Sequence, residues 1–287
     1  MNSPILVCPF DENLISKLNQ KAVILRTDRF EDIPRMRNCV NPSNQLLAVV
    51  VRTDLPLTRI PYHESWGNIP IVIYASDLGP LREFLSKYDL VMKLNLNIFM
   101  PSSEEKTYTN LHILSSLKIY GGIRFDPGRV DWEQVNDLMH YALYAKTNHA
   151  PIEPFSYVAR NYHPRQYLDF SSVYFDDPSK YLHVNGQEQI AFSDGELRQG
   201  RFFAEGLASL VTLEDNEAYQ QRLRAWQEYF LQPGGCSSCE AWRICLGKFA
   251  ESAKPAESCR KFFSELMDAS EFHNKIRIDR SQREWRY

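Results

Sequence analysis

Short apolar runs recur at roughly 20–30 residue intervals through the N-terminal half of this chain of 287 residues, and that spacing limits its fold more than any other feature. Ile5–Val7, Ala22–Leu25, Leu46–Val51, Ile69–Tyr74, Leu90–Ile98 and Ile119–Phe125 read as strands, several bounded by Pro, Asn, Asp or Gly. Helical periodicity fills the gaps. It is carried by Glu12–Gln20, Leu81–Tyr88, Thr107–Lys118 and Asp131–Ala145, the last with Val135, Leu138, Met139, Ala142 and Leu143 on one face. Asp131 is placed to cap that helix, with Gln134 three residues on as its partner. Strands alternating with helices form βαβ units, so the fold expected is α/β: a parallel sheet, open or curled into a partial (β/α) barrel.

The C-terminal half has a different grain. Residues 146–180 are rich in Asn, Pro, His, Tyr and Asp and read as irregular. Tyr181–Val184 and Glu188–Phe192 flank Asn185-Gly186, the signature of a small hairpin. A helix is expected over Ala218–Phe230, and a short final one carrying Phe262, Phe263, Leu266 and Met267. The tail is polar and basic, with Lys275, Arg277, Arg280, Arg283 and Arg286, and reads as solvated. The expected organisation is a βα domain over 1–150, a linker over 151–180, a small α+β cysteine-rich unit over 181–270 and a basic tail over 271–287.

Charge narrows the partners. A net charge of −3 argues against wholesale nucleic-acid binding. No run approaches the 18 or so apolar residues that a membrane helix needs. The N-terminal segment lacks the basic start and long apolar run of a signal peptide, so a cytoplasmic protein is expected.

In that setting the cysteines carry the chemistry. Of six, Cys8 and Cys39 stand alone and read as buried small hydrophobes, while Cys236, Cys239, Cys245 and Cys259 fall within 24 residues. Their spacing is C-x2-C-x5-C-x13-C, led by Gly234-Gly235 and followed by Gly247. A cluster of this kind inside the cell points to metal or cofactor binding rather than disulfides. Four thiolates suit one zinc ion or one cubane iron–sulfur cluster, and the spacing alone does not choose between them. Phosphate-cradling glycine loops, H-E-x-x-H and G-x-S-x-G are absent. Glu104-Glu105 reads as a helix N-terminus, Asp176-Asp177-Pro178 as a turn, and the histidines are scattered.

Cys236-x2-Cys239-x5-Cys245-Leu-Gly247, a later Cys259 and a following aromatic helix resemble the SPASM domain, found at the C-terminus of radical S-adenosylmethionine enzymes that modify peptides. That domain holds two auxiliary [4Fe–4S] clusters. Its ligands for the second correspond to Cys236, Cys239, Cys245 and Cys259, whereas ligand positions for the first fall on Ala191, five residues after Gly186, and on Phe249. The resemblance therefore implies one retained cluster and one lost. Radical enzymes also carry C-x3-C-x2-C after the first strand. Counting from Cys8, the other two positions fall on Glu12 and Ile15, so that motif is missing and no S-adenosylmethionine site is implied. What the resemblance implies is an accessory or scaffold protein of peptide maturation or electron transfer, bound to a peptide or a modifying enzyme and without radical chemistry. The alternatives are a zinc-stabilised binding module and a β/α enzyme of unrelated chemistry.

Overall fold

The computed structural model describes residues 4–126, 129–207, 217, 218, 220, 221, 224, 236, 238–249 and 257–284, with side chains as far as 275. In chain order the first elements are β1 (Ile5–Pro9), α1 (Glu12–Lys17), β2 (Ala22–Thr27), α2 (Ile33–Cys39), β3 (Gln45–Arg52), β4 (Ile71–Tyr74), α3 (Leu81–Leu85), α4 (Tyr88–Lys93) and β5 (Leu96–Pro101). Then come α5 (Thr107–Ser116), β6 (Tyr120–Arg124), α6 (Trp132–Tyr144), β7 (Ile152–Glu153), α7 (Phe155–Asn161), β8 (Tyr181–Val184), β9 (Gln189–Ala191), α8 (Asp194–Arg198) and β10 (Ala204–Glu205). The last two are α9 (Trp242–Cys245) and α10 (Glu257–Glu284). The chain is an α/β protein whose strand pairs are mostly parallel.

Two compact units interleave in sequence: residues 1–100 with 174–225, and residues 101–173 with 226–287. In the first, strands run in the order β10-β9-β8-β1-β2-β3-β4-β5. All neighbours from β8 to β5 are parallel, and β9 and β10 close the edge as antiparallel strands. Strands buried on both faces need apolar residues at every position, and Ile71–Tyr74 is buried throughout. Asp11 starts α1 by accepting the N–H groups of Asn13 at 2.8 Å and Leu14 at 3.2 Å. Burial of Leu14 and Ile15 then docks the helix.

In the second unit β6 and β7 pair in parallel, and α10 packs along α7 and α6. Asp131 caps α6 through Oδ1, which accepts N–H bonds from Glu133 at 3.2 Å and Gln134 at 3.1 Å. Gln134 Nε2 donates to Asp131 Oδ2 at 2.9 Å, so the expected reciprocal contact joins the two side chains. These bonds hold the Asp131 carboxyl below its ordinary range, the Gln134 N–H first among them.

Several elements differ from the sequence reading. The run 90–98 is divided: its first residues belong to helix α4, and β5 starts at Leu96 after the extended Leu94. A short apolar run without strong period cannot distinguish helix from strand. The irregular stretch 146–180 contains β7 and α7, and Pro154 sits at the N-cap of α7, where a missing N–H costs nothing. The final helix is 28 residues long and runs to Glu284, since no Gly or Pro interrupts 257–284. The hairpin of β8 and β9 forms, but its left-handed residue is Glu188 at φ 61° and not Gly186. Asn185 Oδ1 shapes this loop by accepting the N–H groups of Gln187 at 3.0 Å and Gln189 at 2.9 Å. The helix expected over 218–230 lies largely outside the described residues. Among the described residues no helix is long and apolar enough to cross a membrane.

Candidate metal centre

The four clustered cysteines belong to the second unit, and each is buried: Cys236 is 9% exposed, Cys239 6%, Cys245 5% and Cys259 6%. The C-x2-C pair forms one turn, closed by the Cys239 N–H on the Cys236 carbonyl at 3.1 Å. The Trp242 N–H then donates to the Cys239 carbonyl at 3.2 Å and leads into α9, whose last residue is Cys245. The helix stops there because Leu246 at φ 50° and Gly247 at φ 72° are both left-handed. That reversal aims the Gly247 N–H at the Cys245 sulfur, a bond that favours the thiolate. Gly234 and Gly235 lie outside the described residues.

Cys259 comes from α10, on the face that also buries Phe262, Phe263 and Leu266. Burial pushes its thiol up to about 12, helped by Cys245, Cys239 and Cys236. The Cys245 thiol is likewise raised to about 12, by burial first, against the Gly247 N–H and Lys248, with Cys239 and Cys236 adding to the rise. The four sulfurs thus act on one another across a poorly solvated space. Without a cation Cys245 and Cys259 are neutral thiols at pH 7, and a bound cation inverts that balance. Among the described residues, no three His, Cys, Asp or Glu side chains are gathered as closely as metal ligands are. Neutral thiols have no attraction that would draw them to that spacing. The donor set is all sulfur, buried and supported by an N–H donor, which fits a thiophilic metal or an iron–sulfur cluster.

The surroundings hold the loop in place. Lys248 Nζ binds Asp169 Oδ1 and Ser171 Oγ and sits over the Phe170 ring at 5.4 Å. The Leu168 N–H donates to the Arg243 carbonyl at 2.8 Å. Phe249, at the position where the SPASM pattern has a further cysteine, stacks on Phe170 at 5.8 Å and meets Phe125 and Trp132 edge-on at 5.2 Å each. That position carries an aromatic core instead of a thiol. Lys248 and its acceptors were not singled out from sequence, since 79 residues separate Lys248 from Asp169.

The remaining site candidates lie apart in kind. Cys8 is in β1, buried, and its thiol is raised to about 12 by burial, with Arg26 opposing. Glu12 is exposed at the start of α1 and Ile15 is core. Cys39, at the end of α2, is half-buried and not buried as expected; its thiol is raised by burial first and then by Glu12. Glu104 and Glu105 are exposed just ahead of α5. Sequence reasoning passed over a charged group in the first unit: Arg26, Arg52 and Arg198 all pair with Asp194. Its sequence trace is an arginine near the end of each of two mostly apolar strands. Comparison with family models, with curated proteins and with solved structures returns no match.

Proposed function

We propose that Cys236, Cys239, Cys245 and Cys259 hold one [4Fe–4S] cluster, and that the protein serves peptide or protein maturation as an iron–sulfur accessory or scaffold, binding a peptide or a modifying enzyme. In this reading the C-terminal segment is a SPASM-like unit and the parallel strands are a partial β/α barrel stripped of its radical centre. The observation that carries it is the burial of all four thiols within one compact unit, with the Gly247 N–H on Cys245. Bound there, a cluster would supply one-electron transfer or a rigid staple between the turn at Cys236–Cys239, α9 and α10. The chain's own contribution is to exclude water from the sulfurs, through Ile244, Phe249 and Phe262, and to donate the Gly247 hydrogen bond. Replacement of the radical-site thiols by Glu12 and Ile15 supports a role without S-adenosylmethionine cleavage.

Two assays test this reading together. Protein purified without oxygen is expected to be brown, and a reduced sample given S-adenosylmethionine is expected to form no 5′-deoxyadenosine above a protein-free control. Colourless protein containing one zinc, even after anaerobic reconstitution, replaces the cluster with a structural ion. Formation of 5′-deoxyadenosine overturns the non-radical role.

A further inference from the structure

The first unit contains a charged group that neither fold nor metal centre uses. Strand register places Val7, Ile24, Val50 and Val72 on one face of the sheet, and on that same face Arg26, Arg52, Tyr74 and His183. Arg26 and Arg52 lie at or next to the carboxyl ends of β2 and β3. β1 is followed in sequence by β2 on one side, while β8 on its other side leads away to β9. The chain thus diverges between β1 and β8, and open parallel sheets bind ligands outside the carboxyl ends of strands at such a point.

The charges there do not balance. Asp194, only 14% exposed, takes Arg26 through Oδ1, and Oδ2 takes Arg52 at 2.7 Å and Arg198 at 2.7 Å. One carboxylate therefore answers three guanidiniums. Arg26 also donates to the Val184 carbonyl at 3.1 Å, and Arg52 lies over the Tyr74 ring at 5.6 Å. Both side chains are thereby fixed, yet the Nε–H of each is buried without a hydrogen-bond acceptor among the described residues. A buried charged donor left unmade is costly, and native structures keep such groups for a reason.

His183 supplies an independent sign. It is 3% exposed, and its Nε2 lies 2.9 Å from the Phe175 carbonyl and 3.4 Å from Asp176 Oδ1. A carbonyl only accepts, so Nε2 carries the proton and Nδ1 is a bare acceptor, which has no partner among the described residues. Burial first, and then Arg26, lowers its pKa to about 4, with Arg52 acting in the same direction. The ring is therefore neutral at pH 7 and lies within the field of both arginines.

We propose that Arg26 and Arg52, braced by Asp194, form an oxyanion site on this face, for a carboxylate or phosphate group that carries a hydrogen-bond donor for His183 Nδ1. Two guanidinium Nε–H groups supply the charge and the donors, and the histidine selects a ligand with an adjacent hydroxyl, ammonium or P–OH. This proposal is independent of the metal centre.

Calorimetric titration of the full chain with inorganic phosphate, glycolate and acetate at low ionic strength tests it. Phosphate and glycolate are expected to bind, with acetate, which lacks the donor, weaker than glycolate. Arg52→Gln is expected to weaken phosphate binding about 10–100-fold, the effect of one charge-assisted hydrogen bond. Arg198→Gln, at a side chain 62% exposed, is expected to change it by less than about threefold. Should Arg52→Gln not fold, Arg52→Lys decides, because it keeps the charge and loses the Nε–H. No binding of phosphate or glycolate by the wild type, or wild-type affinity in the folded Arg52 variant, overturns the site. Acetate binding as tightly as glycolate removes His183 from it.

Discussion

The Cys245 thiol shows how far one residue's environment can set its chemistry. Burial raises it to about 12, and Cys259 is raised to about the same value. In the unfolded chain these thiols ionise near about 8.5. Between the two values the unfolded state has lost protons that the folded state still holds, so the metal-free chain should lose stability as pH rises from about 9 towards 12. Urea unfolding of metal-free protein at several alkaline pH values checks this, and a flat profile removes the buried thiols as its cause. Metal binding displaces the same protons, so apparent affinity should rise with pH over the neutral range. Substitution sharpens the assignment. Cys239→Ser and Cys245→Ser are expected to abolish metal retention, and Cys39→Ser, at the end of α2, to keep it. Equal metal in Cys239→Ser and wild type takes Cys239 out of the site. Gly79 answers a different demand. At φ 79°, a Cβ there would lie 2.3 Å from Thr58 Oγ1, which is itself buried. Gly79→Ala should therefore destabilise the first unit by about 2–3 kcal/mol, read from the urea midpoint.

At the scale of elements, Asp131→Ala removes the cap of α6 and should cost about 1 kcal/mol, measurable by urea unfolding. The same position shows what was legible in advance, because a cap is a local contact between residues three apart. The strands β1 to β4 and β6 were legible for a similar reason: buried parallel strands are short apolar runs with polar boundaries. Where two forces of equal reach compete, sequence reading failed. Leu90, Val91 and Met92 suit either element, and the chain leaves α4 at the extended Leu94 before β5 starts at Leu96. The final helix reads as short, yet with no Gly or Pro to stop it α10 continues through the residues after His273. The candidate site divides in the same way. The four cysteines announce themselves by spacing, and Gly247 by its neighbourhood. Arg26 and Asp194 are 168 residues apart, and only the pairing of β8 with β1 brings their part of the chain together.

Across the whole molecule, the two units draw on different sources of stability. Among the described residues the first holds eight neighbouring strands, with buried Val, Ile and Leu on both faces. Among the described residues, the cysteine-bearing stretch of the second shows one short helix and turns, and aromatic packing around Phe249 and Phe262 buries them. Metal–thiolate bonds contribute directly to folding in such a segment. Limited proteolysis after metal removal should therefore open the chain around 236–259 before it reaches β1–β5. The central claim is that four named thiols hold one cubane cluster, and its most direct test is iron and acid-labile sulfide per chain in anaerobically reconstituted wild type and in Cys259→Ser. About four irons and four sulfides are expected in the wild type, as a four-thiolate cubane requires, with loss of both in the variant. One zinc and no sulfide in the wild type, or an unchanged iron and sulfide content in Cys259→Ser, would contradict it.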